Sequence, residues 1–291
     1  MNLLESHVES LEPPVGDFSR RIFMATGLAA GFALAVQPVS AETITTDSNG
    51  LTVGEVRIPV SDGSIPGYRA MPVEGGPFPT VLVVQEVFGV HEHIKDVCRR
   101  LAKLGYFAVA PALYAREGDV SQMTSGQEII AKVVAKVPEA QVATDLDSTA
   151  QWAGSTGKAD LNRLGITGFC WGGRQVWLYA AHNPKLKAAA AWYGVLQWPK
   201  SANSPLDPIE LVQHIDVPVL GLYGGSDPGI PRDQIEAMRA ALKAAGKPSE
   251  IVVYPDAGHG FNADYRPSYR PVEAKDAWKR MLAWFTQHGV V

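Results

Sequence analysis

What most constrains the fold of this chain is the pentapeptide Gly168-Phe169-Cys170-Trp171-Gly172, because of what stands on either side of it. Upstream, Arg163-Leu164-Gly165-Ile166-Thr167-Gly168-Phe169 reads as a short buried strand. Downstream from Trp171, the residues Val176, Leu178, Tyr179, Ala180 and Ala181 form an apolar helical segment that stops at Asn183-Pro184. Cys170 therefore stands where a strand hands over to a helix. Such a turn is tight and its neighbours are close, and Gly168, Gly172 and Gly173 keep it clear of side chains.

A Gly-x-nucleophile-x-Gly turn between strand and helix is the nucleophile turn of the α/β-hydrolases, with a thiol here in place of a hydroxyl. Two later segments complete the pattern. The apolar strand Val217–Tyr223 runs into Gly224-Gly225-Ser226-Asp227-Pro228, and the strand Glu250–Tyr254 runs into Pro255-Asp256-Ala257-Gly258-His259-Gly260-Phe261. Each residue alone has an ordinary reading: Cys170 as a small buried hydrophobe, Asp227 in a polar turn, His259 as a loop surface residue. Nucleophile, acid and histidine in that order, each after a strand, match the order in which the fold delivers a triad. Cys170 then attacks a carbonyl carbon, His259 carries protons and Asp227 orients the imidazole. The first N–H groups of the helix stabilise a thiolate, and that of Trp171 supplies half of an oxyanion hole. An unperturbed thiol has a pKa of about 8.5, so some activation is required.

A formal charge of −4 and 46% hydrophobic residues over 291 positions suit one soluble α/β domain and give no electrostatic case for nucleic acid. Residues 1–41 stand apart from that domain. Ser19-Arg20-Arg21-Ile22-Phe23 is a twin-arginine pattern, the stretch from Ile22 to Val36 is apolar and rich in small residues, and Gln37-Pro38-Val39-Ser40-Ala41 fits a cleavage site. The apolar run is shorter than the roughly 20 residues of a bilayer span, which argues against a stable membrane anchor. The expectation is export of the folded protein by the Tat machinery, cleavage after Ala41, and a mature domain of residues 42–291 in a bacterial periplasm. Of the two cysteines, Cys98 shares a helical stripe with Ile94, Val97 and Leu101, so a packing role and no disulfide are expected. His91 and His93 lack the neighbouring ligands a zinc site needs, and no metal or cofactor is expected.

Along the mature chain, Val53–Val60 and Gly67–Met71 read as an antiparallel pair, Thr80–Gln85 as a central strand, and Glu92–Leu104 as a helix. The strand Tyr106–Ala110 follows, then helices Gly126–Val137 and Glu139–Ala153 split by Pro138. After the nucleophile turn come the strand Leu186–Trp192, the two strands that precede Asp227 and His259, and the helices Asp233–Ala245 and Val272–His288. Gln197–Asp207 reads as a surface loop or pocket cover. This alternation argues a single α/β domain with a mostly parallel sheet flanked by helices.

Six segments carry a more specific likeness: Gln85-Glu86-Val87-Phe88-Gly89-Val90, Pro111-Ala112-Leu113-Tyr114-Ala115-Arg116, Gly168–Gly173, Trp192-Tyr193-Gly194-Val195, Gly224-Gly225-Ser226-Asp227 and Ala257-Gly258-His259-Gly260-Phe261. Together they resemble the dienelactone hydrolase (carboxymethylenebutenolidase) family from roughly Val53 to Phe285. The resemblance implies an α/β-hydrolase fold, a cofactor-free monomer, and hydrolysis of a small lactone or ester. It implies that Glu86 holds the resting thiol and takes its proton when substrate binds, and that the N–H of Val87 is the second oxyanion donor. Phe88, Tyr114, Arg116, Tyr193 and Phe261 are the candidate substrate contacts. Two departures concern the substrate. The family grips a substrate carboxylate with arginines, but Ala263 stands at one such position and no arginine lies between Glu117 and Leu161. Arg116 and Arg266 are possible substitutes, or exposed basic residues. A general carboxylesterase, and a non-catalytic binding protein on the same fold, are the competing readings.

Overall fold

The computed structural model describes residues 44–121, 123 and 125–291, so the expected export signal at residues 1–41 lies outside the described residues. The chain runs β1 (Leu51–Val60), β2 (Gly63–Pro72), β3 (Phe78–Val84), α1 (Glu92–Lys103), β4 (Phe107–Pro111), α2 (Gly126–Lys132) and α3 (Glu139–Ser155). It continues through β5 (Ala159–Phe169), α4 (Trp171–His182), β6 (Ala188–Trp192), β7 (Val219–Gly224), α5 (Arg232–Ala244), β8 (Glu250–Tyr254) and α6 (Pro271–Gln287).

The strands form one eight-stranded sheet in the order β1-β2-β4-β3-β5-β6-β7-β8. Pairing is antiparallel for β1–β2 and β2–β4 and parallel from β4 onward. This is a mixed α/β single-domain fold of the α/β-hydrolase type, as the alternation of strands and helices predicts. Val81–Val84 of β3 and Ala188–Trp192 of β6 are fully buried, which is why they read as unbroken apolar runs. Glu86, Tyr114, Cys170, Tyr193, Asp227 and His259 follow the C-terminal ends of β3, β4, β5, β6, β7 and β8 respectively. Parallel pairing brings those ends to one edge of the sheet, where α/β folds open a crevice.

Some boundaries differ from expectation for local reasons. The opening hairpin is longer, pairing Leu51–Val60 with Gly63–Pro72 around Ser61-Asp62. The helix expected over Gly126–Val137 stops at Lys132 and continues as a 3₁₀ turn, Val134–Lys136. Branched Val133 and Val134 are poor helix formers, and Val137 is drawn into the extended region by Pro138. A second 3₁₀ segment, Pro208–His214, follows the loop expected at Gln197–Asp207. Its signal was present in Asp207-Pro208-Ile209-Glu210, since Glu210 Oε2 accepts from the Asp207 N–H at 2.7 Å. The loop itself is tied down by buried Arg174 of α4, which donates to Glu139, Asp207, Ser204 and the Leu206 carbonyl at 2.8–3.1 Å. It borders a small cleft with α3 and α4 and does not cover the larger cavity described below.

Cys98 is fully buried in α1, in keeping with a packing role, and no disulfide joins it to Cys170. Among the described residues no helix is long and apolar enough to cross a membrane.

Candidate active site

Cys170 adopts φ 58° and ψ −120°, a conformation that residues other than glycine rarely hold. Its surroundings enforce that geometry. The Cys170 N–H donates to the Trp192 carbonyl at 3.0 Å, pinning the turn to the end of β6. On the other side α4 starts directly against β3. A Cβ on Gly172 would lie 2.5 Å from both the Val84 and Gln85 carbonyl oxygens, so only glycine permits the approach. The same approach sets Gln85, just past β3, beside the start of α4. There the N–H of Trp171 has no intrahelical acceptor.

His259 and Asp227 arrive from the ends of β8 and β7. His259 Nδ1 is 2.8 Å from Asp227 Oδ2, and both side chains are buried. The other Asp227 oxygen accepts from the Gly229 N–H at 2.8 Å, which fixes the carboxylate. Burial by itself would push the imidazole down, but the Asp227 carboxylate and then the neighbouring Cys170 outweigh it and hold His259 up at about 10. Cys170 and His259 therefore belong to one electrostatic unit, with Asp227 behind the ring.

Glu86 is buried in the turn after β3, closed by a hydrogen bond from the Gly89 N–H to the Glu86 carbonyl at 3.1 Å. Burial opposes its charge, yet the His91 hydrogen bond and the Arg266 guanidinium hold it well below the usual carboxylate range. Its Oε2 accepts from Tyr265 Oη at 2.5 Å and lies 3.3 Å from His91 Nε2. His91 is pushed down by burial in spite of Glu86, so at neutral pH it is a neutral donor. The sequence marks neither His91 nor Tyr265 as a site residue and offers His91 only as a metal ligand. Among the described residues no cluster fit to hold a metal is found.

Arg266 is not an exposed basic residue: it is buried, and its guanidinium sits 4.6 Å above the Phe88 ring centre. Burial opposes its charge too, but Tyr265, Glu86 and Cys170 raise it, so it stays a cation within electrostatic reach of the thiol. Its Nε has no hydrogen-bond partner among the described residues. Arg116 is differently placed. Its guanidinium makes paired hydrogen bonds of 2.6–3.0 Å to Asp62 and Asp145, so most of its donors are already committed. As a grip for a substrate anion Arg116 is the weaker candidate, and Arg266 the stronger.

A cavity of about 570 Å³ opens beside this cluster, lined by Gln85, Phe88, His91, Tyr114 and Arg116 among others. Tyr114 links it to the turn, with its ring 4.9 Å from that of Trp171 and its hydroxyl 3.4 Å from the Glu86 carbonyl. Tyr193 and Phe261 are not on the cavity wall. Tyr193 packs edge-on to His259 at 5.1 Å, with a buried hydroxyl that has no hydrogen-bond partner among the described residues. Phe261 lies in an aromatic stack with Tyr193, Trp192 and Tyr254, at 5.2–6.0 Å. Its ring backs that of Tyr193.

Comparison with known proteins agrees with this geometry. Residues 65–289 match the model of the dienelactone hydrolase family. A Methylorubrum extorquens protein assigned as a carboxymethylenebutenolidase is 65% identical over 273 residues, 94% of each chain. An Escherichia coli protein assigned the same way is 53% identical over 267 residues, 91% of this chain and 98% of that one. A Klebsiella pneumoniae crystal structure assigned as a dienelactone hydrolase superposes with a TM-score of 0.80 at 56% identity, covering 81% of this chain and 99% of the other. With the sheet order, the cysteine turn and the similarity all in agreement, the chain belongs to the dienelactone hydrolase family and is a hydrolase acting on a lactone or ester.

Proposed function

We propose that this hydrolase opens a small lactone or ester carrying a carboxylate, with Cys170 as nucleophile, His259 as proton carrier and Asp227 as its orienting partner. The observation that carries this reading is the strained Cys170 turn coupled to an imidazole that Asp227 holds at 2.8 Å. The thiol gives its proton to Glu86, and the sulfur attacks the carbonyl carbon while the Trp171 and Val87 N–H groups stabilise the oxyanion. Collapse breaks the acyl C–O bond, the leaving oxygen takes a proton from imidazolium His259, and a thioester remains. Water, deprotonated by the now neutral His259, attacks that thioester and expels the Cys170 thiolate; Glu86 returns its proton to the sulfur.

The preference for an anionic substrate rests on Arg266. A buried guanidinium beside the thiol with an unpartnered Nε favours an added anion. Such an anion also weakens the hold of Arg266 on Glu86 and makes that carboxylate a better base when substrate arrives. Phe88 and Tyr114 form the adjoining wall.

The test is hydrolysis of a dienelactone beside a neutral aryl ester. Cys170→Ala is expected to lose both activities by about 10³-fold or more. Arg266→Met is expected to lose the dienelactone activity while retaining more of the aryl ester activity. Undiminished turnover in the Cys170→Ala protein would sink the mechanism. Equal losses on both substrates in Arg266→Met would leave the nucleophile and point to a neutral ester.

Residues 1–41 are proposed as a twin-arginine export signal that delivers the folded enzyme to the periplasm. A processed periplasmic form beginning at Glu42 is expected on N-terminal sequencing, and a cytoplasmic form keeping Met1 counts against it.

A further inference from the structure

Apart from the reacting groups, a connected set of buried polar side chains lies where α1 meets the loop between β8 and α6. The Tyr265 ring there packs against two stacked imidazoles, with centres 5.0 Å from His91 and 5.2 Å from His93. Beneath it, His93 Nδ1 is 3.1 Å from Asp264 Oδ1, and the other Asp264 oxygen accepts from Arg100. Arg100 is braced in turn by Asp96 at 2.6 Å, and Asp96 also accepts from Arg99 at 2.9 Å. The Asp264 and His93 side chains are almost wholly buried. At the top of this lattice, both Tyr265 Oη and His91 Nε2 converge on one oxygen of Glu86, Oε2.

That convergence has a chemical purpose. A carboxylate that must share a pocket with a reactive thiol has to be anionic and immobile. Two neutral donors achieve both without adding a second cation to compete for the thiolate. Glu86 is faced by His91 and His93 from the α1 side, Tyr265 and Arg266 from the loop before α6, and Tyr114 and Tyr193 from the ends of β4 and β6. Of these, Tyr265 makes the shortest contact to the Glu86 carboxylate and is itself fixed by the lattice behind it.

We propose that Tyr265 is a positioning residue for the hydrolysis: its hydroxyl, with His91 beside it, fixes the Glu86 carboxylate in the turn after β3 for its exchange with Cys170, and the His93–Asp264–Arg100 lattice fixes Tyr265. This rests on the roles of Cys170 and Glu86 proposed above.

Tyr265→Phe removes the hydroxyl and keeps the ring packed against both imidazoles. It is expected to lower kcat about tenfold with KM changed less than about twofold, the size of one hydrogen bond to a charged group. In the Glu86→Gln background the same substitution is expected to add little, because its effect passes through Glu86. An equal loss in both backgrounds, or a change confined to KM, would overturn the proposal. A readout independent of turnover is the Glu86 carboxylate stretch in glutamate-labelled protein, isolated by subtracting the Glu86→Gln spectrum. That band is expected to shift in Tyr265→Phe at neutral pH, and an unmoved band would also overturn the proposal. If Cys170→Ala keeps full activity, the mechanism fails instead, and the infrared band alone decides Tyr265. Should Tyr265→Phe not fold, His91→Leu removes the other donor and passes through the same cycle and the same spectrum.

Discussion

The two sides of this site are held in place by different physics. On the nucleophile side, Cys170 is fixed by backbone: the Trp192 carbonyl on one flank, the Val84 and Gln85 carbonyls on the other, and no room for a Cβ at Gly172. On the Glu86 side, the carboxylate is fixed by side chains, a lattice of Tyr265, His91, His93, Asp264 and Arg100 that spans two distant segments. A backbone-built site tolerates almost no change where it is tight and is indifferent elsewhere. A site built from side chains gives way by degrees, and each residue in it is adjustable.

The sharpest way to break this comparison is Gly172→Ala. The new methyl would meet two main-chain oxygens at 2.5 Å, and neither end of β3 nor the start of α4 can yield without disturbing buried strands. A loss of about 3 kcal/mol or more of stability is expected, seen as a lowered denaturation midpoint or as insoluble protein. A variant as stable as the parent would mean that the turn is looser than its contacts indicate.

The same difference explains what was legible in the sequence. Gly168, Cys170 and Gly172 lie within five residues, and the strand before and helix after them have periodic patterns, so the turn could be read directly. Asp227 and His259 were legible because each follows an apolar strand. The Glu86 lattice was not. His93 meets Asp264 across 171 positions and Tyr265 meets Glu86 across 179, separations at which no local spacing carries information. His93 finds its partner Asp264 only in the loop before α6, whereas His91 meets Glu86 five positions before it, a spacing that belongs to no regular element. Arg174 was hidden in the same way, since Glu139, Ser204 and Asp207 come from either side of it in the chain. Arg116 shows the converse: its position near Tyr114 suggested a substrate contact, but Asp62 and Asp145 claim its guanidinium.

A milder substitution tests the lattice. Asp264→Asn removes the buried charge that pairs with His93 and Arg100, although Arg100 keeps Asp96. The expected cost is about 2 kcal/mol in chemical denaturation, together with a fall in kcat smaller than that of Tyr265→Phe. The Asp264 carboxyl is held low by His93 and Arg100 against the opposing effect of burial. Its contribution is therefore present above the unfolded carboxyl range and fades as pH falls through the lower folded value. A full loss of activity with stability intact would contradict the graded behaviour expected on this side.

The smallest effect is the most discriminating, and it concerns the proton on His259. The folded imidazole is held up at about 10 against an ordinary value of 6.5, with Asp227 and then Cys170 opposing burial. The sign follows directly: this contribution to stability is complete below 6.5 and is lost as pH rises through 10. Activity should fall over the upper part of that range, because the leaving oxygen then has no imidazolium to protonate it. In an NMR titration of the ring nitrogens, Asp227→Asn should lower the midpoint most and Cys170→Ala less. Asp264→Asn should leave it in place, since neither Asp264 nor any other lattice residue is among the charges holding His259 up. If Asp264→Asn moved His259 as far as Cys170→Ala did, the two sides would be one electrostatic unit. The division between a backbone-built nucleophile and a side-chain-built carboxylate would then have to be given up.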